Sequence, residues 1–140
     1  VDAVIGIESL DKLFAAIDAG TPIHEFMRDN ERAAGRTVVV PGSVPWLSAD
    51  DWDPTVVVSR EGNRVRLVAI LALNPGRGAL KRTVAGIQEV GLEPCIVEPT
   101  RELQETLRRW GWRSRRVGSG MESETIWYPR RRAARARPAA

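Results

Sequence analysis

The sequence predicts a single mixed α/β domain, and three observations carry the prediction. Amphipathic helical stretches alternate with short β-branched runs along most of the chain. Glycine or proline punctuates nearly every junction between them. At 140 residues, with 43% apolar and 28% charged side chains, the chain is long enough for one hydrophobic core and has the balance of a globular protein.

Taken in order, "AVIGI" (3–7) is a short β-prone run and "SLDKLFAAIDAG" (9–20) a helix. Ser9 serves as its cap, Leu10, Leu13, Phe14 and Ile17 form one face, and Gly20 stops it. "TPIHEFMRDNERAAG" begins a second helix, with Thr21 as cap, Pro22 at the first helical position and a stripe of Ile23, Phe26 and Met27. "RTVVV" (36–40) is a strand ended by Pro41-Gly42. The loop that follows, "PGSVPWLSADDWD", holds two tryptophans, Trp46 and Trp52, among acids and prolines.

A hairpin comes next, with strands 55–60 and 64–73 around Glu61-Gly62-Asn63. Its second strand alternates at Val65 and Leu67 and then turns continuously apolar, as a strand buried on both faces does. Residues 79–90 form a helix with Leu80, Val84 and Ile87 inward and Gly91 as its stop. "PCIVEP" is a strand. "TRELQETLRRWG" is a helix capped by Thr100, with Leu103, Leu107 and Trp110 inward. "WRSRRV" and "ESETIWYP" pair as a closing hairpin. The expected order is β-α-α-β-β-β-α-β-α-β-β.

Charge divides the chain. The net charge is +3, but residues 129–140, "PRRRAARARPAA", hold five arginines and no acid. Residues 1–128, the folded body, then carry 16 basic and 18 acidic side chains. The tail is expected to be disordered, and to make non-specific contact with nucleic acid or an acidic partner, or simply to solubilise the chain. A second basic cluster, Arg108, Arg109, Arg113, Arg115 and Arg116, lies near it in sequence. Neither a helix-turn-helix signature nor a row of aromatics on basic strands accompanies it. No apolar run approaches the roughly 18–20 residues of a membrane helix, and residues 1–20 lack the layout of a secretory signal. A cytoplasmic location is the resulting expectation. With one cysteine (Cys95) and one histidine (His24), neither an internal disulfide nor a Cys/His metal site is expected.

Two segments carry a resemblance. "LALNPGRGALKRTVAGIQEVGLEPCIVEP" is similar to the central strand, pyrophosphate loop, helix and next strand of the GNAT acetyltransferases. "ELQETLRRWGWRSRRVG" resembles their closing helix and strand entry, with Trp112 in place of the usual phenylalanine. With the element order, the likeness spans about three quarters of the chain. It implies an acyl-CoA-dependent N-acyltransferase acting on an amine, with acetyl-CoA held by Leu71, Leu73, Gly76, Arg77, Gly78, Ala79, Leu80 and Lys81. Helix N-termini favour an anion such as the pyrophosphate, and glycines let the backbone come close.

Departures from the family pattern accompany it. Leu73 stands where the first Gln or Arg belongs, Pro75 removes a donor, and Leu107 falls where a tyrosine often protonates the leaving thiolate. "VRLVAILAL" holds no glutamate to act as base. The remaining catalytic candidates are His24, histidine being the residue type that exchanges protons near neutrality, Glu98, acting through water, and Tyr128, the only tyrosine. Each has a plain alternative as a surface or edge residue. Trp46 and Trp52 either line an acceptor or partner surface, beside Asp50, Asp51 and Asp53, or cover the core. The alternative function is a non-catalytic binding or assembly protein. Internal virion proteins of bacteriophages also resemble this fold, and a virion-associated location goes with that reading.

Overall fold

The computed structural model describes residues 15, 20–120 and 123–130. Within them the chain forms α1 (Ile23–Ala33), β1 (Thr37–Val39), β2 (Val57–Glu61), β3 (Arg64–Ala69), α2 (Ala79–Glu89), β4 (Glu93–Val97), α3 (Arg101–Arg109), β5 (Arg113–Val117) and β6 (Glu124–Tyr128). The first strand and most of the first helix expected from the sequence, and tail residues 131–140, lie outside the described residues.

The strands make one six-stranded mixed sheet in the order β1-β2-β3-β4-β6-β5. Every neighbouring pair is antiparallel except β3 and β4, which α2 connects as a parallel crossover. Each element forms for a local reason. Gly62-Asn63 is the two-residue turn that sets Glu61 opposite Arg64 and fixes the hairpin register. The Thr100 hydroxyl accepts the Leu103 N–H and caps α3. Helix α2 ends where the Gly91 N–H reaches the Gln88 carbonyl and the Leu92 N–H reaches that of Ile87. Helix α3 ends in the same paired bonds, from Gly111 to Arg108 and from Trp112 to Leu107. The cap of α1 corrects the sequence reading: Pro22 holds the cap position and no side chain caps the helix, so Thr21 does not serve.

The two sheet faces differ. On one, Val39, Val58, Val65, Leu67, Ile96 and Trp127 meet Val84 and Ile87 of α2, Leu107 of α3 and Trp112. Full burial of Leu67, Ile87, Ile96 and Leu107 contributes about 1.5–3 kcal/mol each. Trp46 and Trp52 belong to this core. Their loop folds down on α2 because Gly86 leaves room: a Cβ there would lie 3.0 Å from the Cβ of Trp46.

The opposite face carries Cys95, Val97 and Ile126, and a buried polar network. Glu31 of α1 accepts from the Ser59 hydroxyl at 2.6 Å and from Arg66 at 3.0 Å. Arg66 also pairs with Glu124 at 3.2 Å, and Arg36 pairs with Glu31 at 3.1 Å. Burial alone would raise the pKa of Glu31, but the Ser59 hydroxyl and the two guanidiniums outweigh it and hold the carboxyl below its ordinary range. No described helix is long and apolar enough to cross a membrane.

Candidate functional site

The site begins with one extra residue. Val58 faces Leu67, yet Val57 faces Ala69, so Val68 has no partner on β2 and forms a bulge. The bulge reverses the alternation of side chains. Val65 and Leu67 face the helical core before it, and Ile70 and Ala72 face that core after it. Leu71 and Leu73 are thereby turned out, 57% and 46% exposed. This explains the continuous apolar run: its odd and even positions exchange faces midway, and the regular strand ends at Ala69 rather than at residue 73.

A bulged strand bends, and the parallel ladder with β4 ends at the same level. Leu67 and Ile96 are its last pair, although β3 continues two residues further. Past that point residues 71–73 are paired only on the far side. The Asp53 N–H donates to the Leu71 carbonyl and the Leu73 N–H to that of Asp51, both at 2.9 Å, framing a bridge between Trp52 and Ala72. In that pattern the Ala72 N–H and C=O point the other way, into the gap left by β4. The Ala72 N–H has no acceptor among the described residues.

Beside the gap lies the glycine turn. Gly76 and Gly78 both adopt left-handed φ, +79° and +77°, which places Gly78 as the cap of α2 without a capping side chain. The first helical bond is from the Arg82 N–H to the Gly78 carbonyl. The N–H groups of Gly78, Ala79, Leu80 and Lys81 have no acceptor among the described residues. Arg82 folds back over this turn. It donates to the Arg77 carbonyl and pairs with Asp51 at 2.7 Å, which raises its already high pKa. Asp51, Asn74, Arg77, Ala79 and Arg82 line a depression of about 350 Å³ there. The Lys81 ammonium lies 6.0 Å from the ring centre of Trp110. Unpartnered donors, positive charge and close backbone fit an anionic group.

Of the catalytic candidates, the structure brings two to this end of the sheet. Arg28 donates to the Pro54 and Val56 carbonyls and fixes α1 against the chain entering β2. His24, one turn earlier on the same helix face, is half-buried and near enough to Asp53 to favour that carboxylate's charge. The stronger influence on Asp53 is Thr55, whose hydroxyl and N–H both donate to it and hold it below its ordinary range. Glu98 follows β4 at the other side of the gap. It has a left-handed φ of +46°, rare outside glycine. Its carboxylate accepts the Thr125 N–H at 2.6 Å, so one oxygen extends the β4–β6 ladder.

Tyr128 goes elsewhere, and this is a correction. Strand β6 runs antiparallel to β4, so Tyr128 lies on its course toward the start of β4, away from the gap. Arg64 and Arg115 pack on its ring, 5.1 and 5.6 Å from the centre. Of the two readings of Trp46 and Trp52, the surface one is corrected and the core one holds. They are 9% and 2% exposed, and the Trp52 indole N–H bonds the buried Thr83 hydroxyl at 2.8 Å. They cover the core and offer no surface to an acceptor or partner. Leu107 is fully buried. Asp51, expected to attract a cation, is committed to Arg82.

Sequence reasoning missed the Val68 bulge, the Asp51–Arg82 pair and the Glu31–Arg66–Glu124 network. The one hint was a charged residue, Arg66, inside an apolar strand. No group of His, Cys, Asp and Glu able to hold a metal occurs among the described residues. Comparison with protein-family models, curated proteins and solved structures gives no match.

Proposed function

We propose that the chain is a divergent acyl-CoA-dependent N-acyltransferase of the GNAT type. One observation carries the reading: a central strand carries a bulge where its ladder with its parallel neighbour ends, beside a helix N-terminus with four N–H groups unpartnered among the described residues. In this reading the N–H groups of Gly78 to Lys81 take the pyrophosphate, with Arg77 adding positive charge. Leu71 and Leu73 give an apolar wall. The bound acyl-CoA supplies an activated thioester. The Ala72 N–H orients and polarises its carbonyl oxygen. His24 or Glu98 takes the proton from the acceptor ammonium, directly or through water, and Asp50 and Asp53 draw that cation to the mouth. Holding both reactants in one gap supplies much of the rate, so a dedicated thiolate acid is not essential.

The test is calorimetric titration with acetyl-CoA of the wild type and of Gly78→Glu, which places a carboxylate in the cradle. Micromolar binding, lost in the variant, supports the reading. A folded protein that takes up no acetyl-CoA at millimolar concentration overturns it. A second reading is a non-catalytic binding or assembly protein with this architecture. It is favoured by the two phenol positions: Leu107 is in the core, and Tyr128 is at the wrong end of the sheet. Binding of acetyl-CoA without release of free thiol across a panel of amines would select it.

A further inference from the structure

The end of the sheet opposite the glycine turn holds a cleft of about 720 Å³ that plays no part in the reading above. Its walls come from the starts of β3, β4 and β5 and the end of β6. Four arginines line it, Arg64, Arg113, Arg115 and Arg130, against one carboxylate, Glu93. Glu93 approaches Arg64 only to 3.9 Å, the outer limit of an ion pair. The other three arginines make no ion pair among the described residues.

Tyr128 organises this charge. With Arg64 and Arg115 packed on its ring, two flexible side chains are held in the cleft. Arg113 is the cross-strand partner of Tyr128, so Arg113 and Arg115 project on the same face as its ring.

We propose that this cleft binds the phosphodiester backbone of a single-stranded nucleic acid without sequence preference. A polymer is indicated because the positive charge continues beyond the cleft. Strand β5 is exposed along its whole length and adds Arg116 on its other face. In sequence, Arg130 is followed by Arg131, Arg132, Arg135 and Arg137 with no acid. Arg113 and Arg115 are two strand residues apart, roughly 6.7 Å, a spacing close to that of successive phosphates on an extended strand. The arginines line a recess between strand ends and not a broad face, which suits one strand better than the width of a duplex. Indifference to sequence follows from the aromatics: arginines pack on the Tyr128 ring, and Trp127 is 5% exposed, so no ring face is offered to a base.

The test is fluorescence anisotropy of a labelled oligothymidine with the full 140-residue chain, at about 50 and 200 mM salt. Three phosphate contacts predict a log–log salt slope of about −2. Arg113→Glu with Arg115→Glu should weaken binding about tenfold or more and flatten the slope, with the thermal midpoint little changed. If that pair unfolds the chain, Arg113→Gln with Arg115→Gln replaces it and should weaken binding in the same direction. Four results overturn the proposal. One is no binding at the lower salt. Another is equal competition by polyglutamate or tripolyphosphate, which makes the ligand an acidic peptide or a small phosphate. A third is tighter binding of a duplex of the same length. The last is loss of binding on changing Arg131, Arg132, Arg135 and Arg137 to serine while the β5 variants bind normally, which places the contact outside the cleft.

Discussion

The indole N–H of Trp52 donates to the hydroxyl of Thr83 at 2.8 Å inside the core, tying the loop before β2 to the first turns of α2. The adjacent pair, Asp51 and Arg82, repeats the tie at the surface. Together they fix the segment that pairs with residues 71–73, and so fix which edge of that strand stays open. Trp52→Phe keeps most of the ring volume and removes the donor. It should cost about 1–2 kcal/mol, because the buried hydroxyl of Thr83 loses its partner. Urea unfolding measures this, and a midpoint equal to wild type would mean that the bond adds nothing.

Glu31 makes the fold sensitive to acid. Its folded pKa lies below the ordinary 4.5, so the unfolded chain takes up the proton first as pH falls. The stability it contributes is therefore present above pH 4.5 and is lost as the pH drops through the folded value. Glu31→Gln should cost about 3 kcal/mol near neutrality, the low end for a broken buried pair, since Arg66 keeps Glu124. It should also flatten the decline of stability below about pH 4.5. Denaturation curves at a series of pH values test both parts. An unchanged acid slope in the variant would assign the sensitivity to other carboxylates.

Gly86→Ala opposes two effects. Alanine raises helix propensity by about 1 kcal/mol, but its methyl would lie 3.0 Å from the Cβ of buried Trp46, an atom close to the backbone that cannot swing aside. Overpacking costs about 1–3 kcal/mol, so net destabilisation is expected. A variant melting above wild type would show that the loop yields freely.

Burial pushes the Cys95 thiol up to about 11, with Arg66 and Arg64 acting weakly in the other direction. Native protein at mildly alkaline pH should resist a thiol-specific reagent until denaturant is added, and labelling should follow unfolding. Rapid stoichiometric reaction without denaturant would mean that this sheet face opens readily.

What could be read from the sequence was what neighbouring residues decide. The Thr100 cap, the stops at Gly91 and Gly111 and the Gly62-Asn63 turn each depend on a few adjacent positions, and the element boundaries follow to within a few residues. The Val68 bulge was not legible, because a partner strand and not the run "VRLVAILAL" determines it. The same holds for Arg66, whose partners lie 35 and 58 positions away. Trp46 and Trp52 lie in a stretch with the composition of an exposed loop, and Gly86 on a distant helix gives Trp46 its room. Tyr128 was judged by its chemistry, and the direction of β6 decided its place.

The bulge at Val68 also sets how the gap behaves before anything enters it. The opening is written into strand register and held by ladders on either side, so it needs no swinging loop and no closing of a hinge. A ligand of matching shape would meet walls already in position and forfeit little chain freedom on arrival. Shortening the strand by that one residue would bring β3 back into step with β2. The side-chain faces of residues 70–73 are thus set in this fold by a single position in the chain.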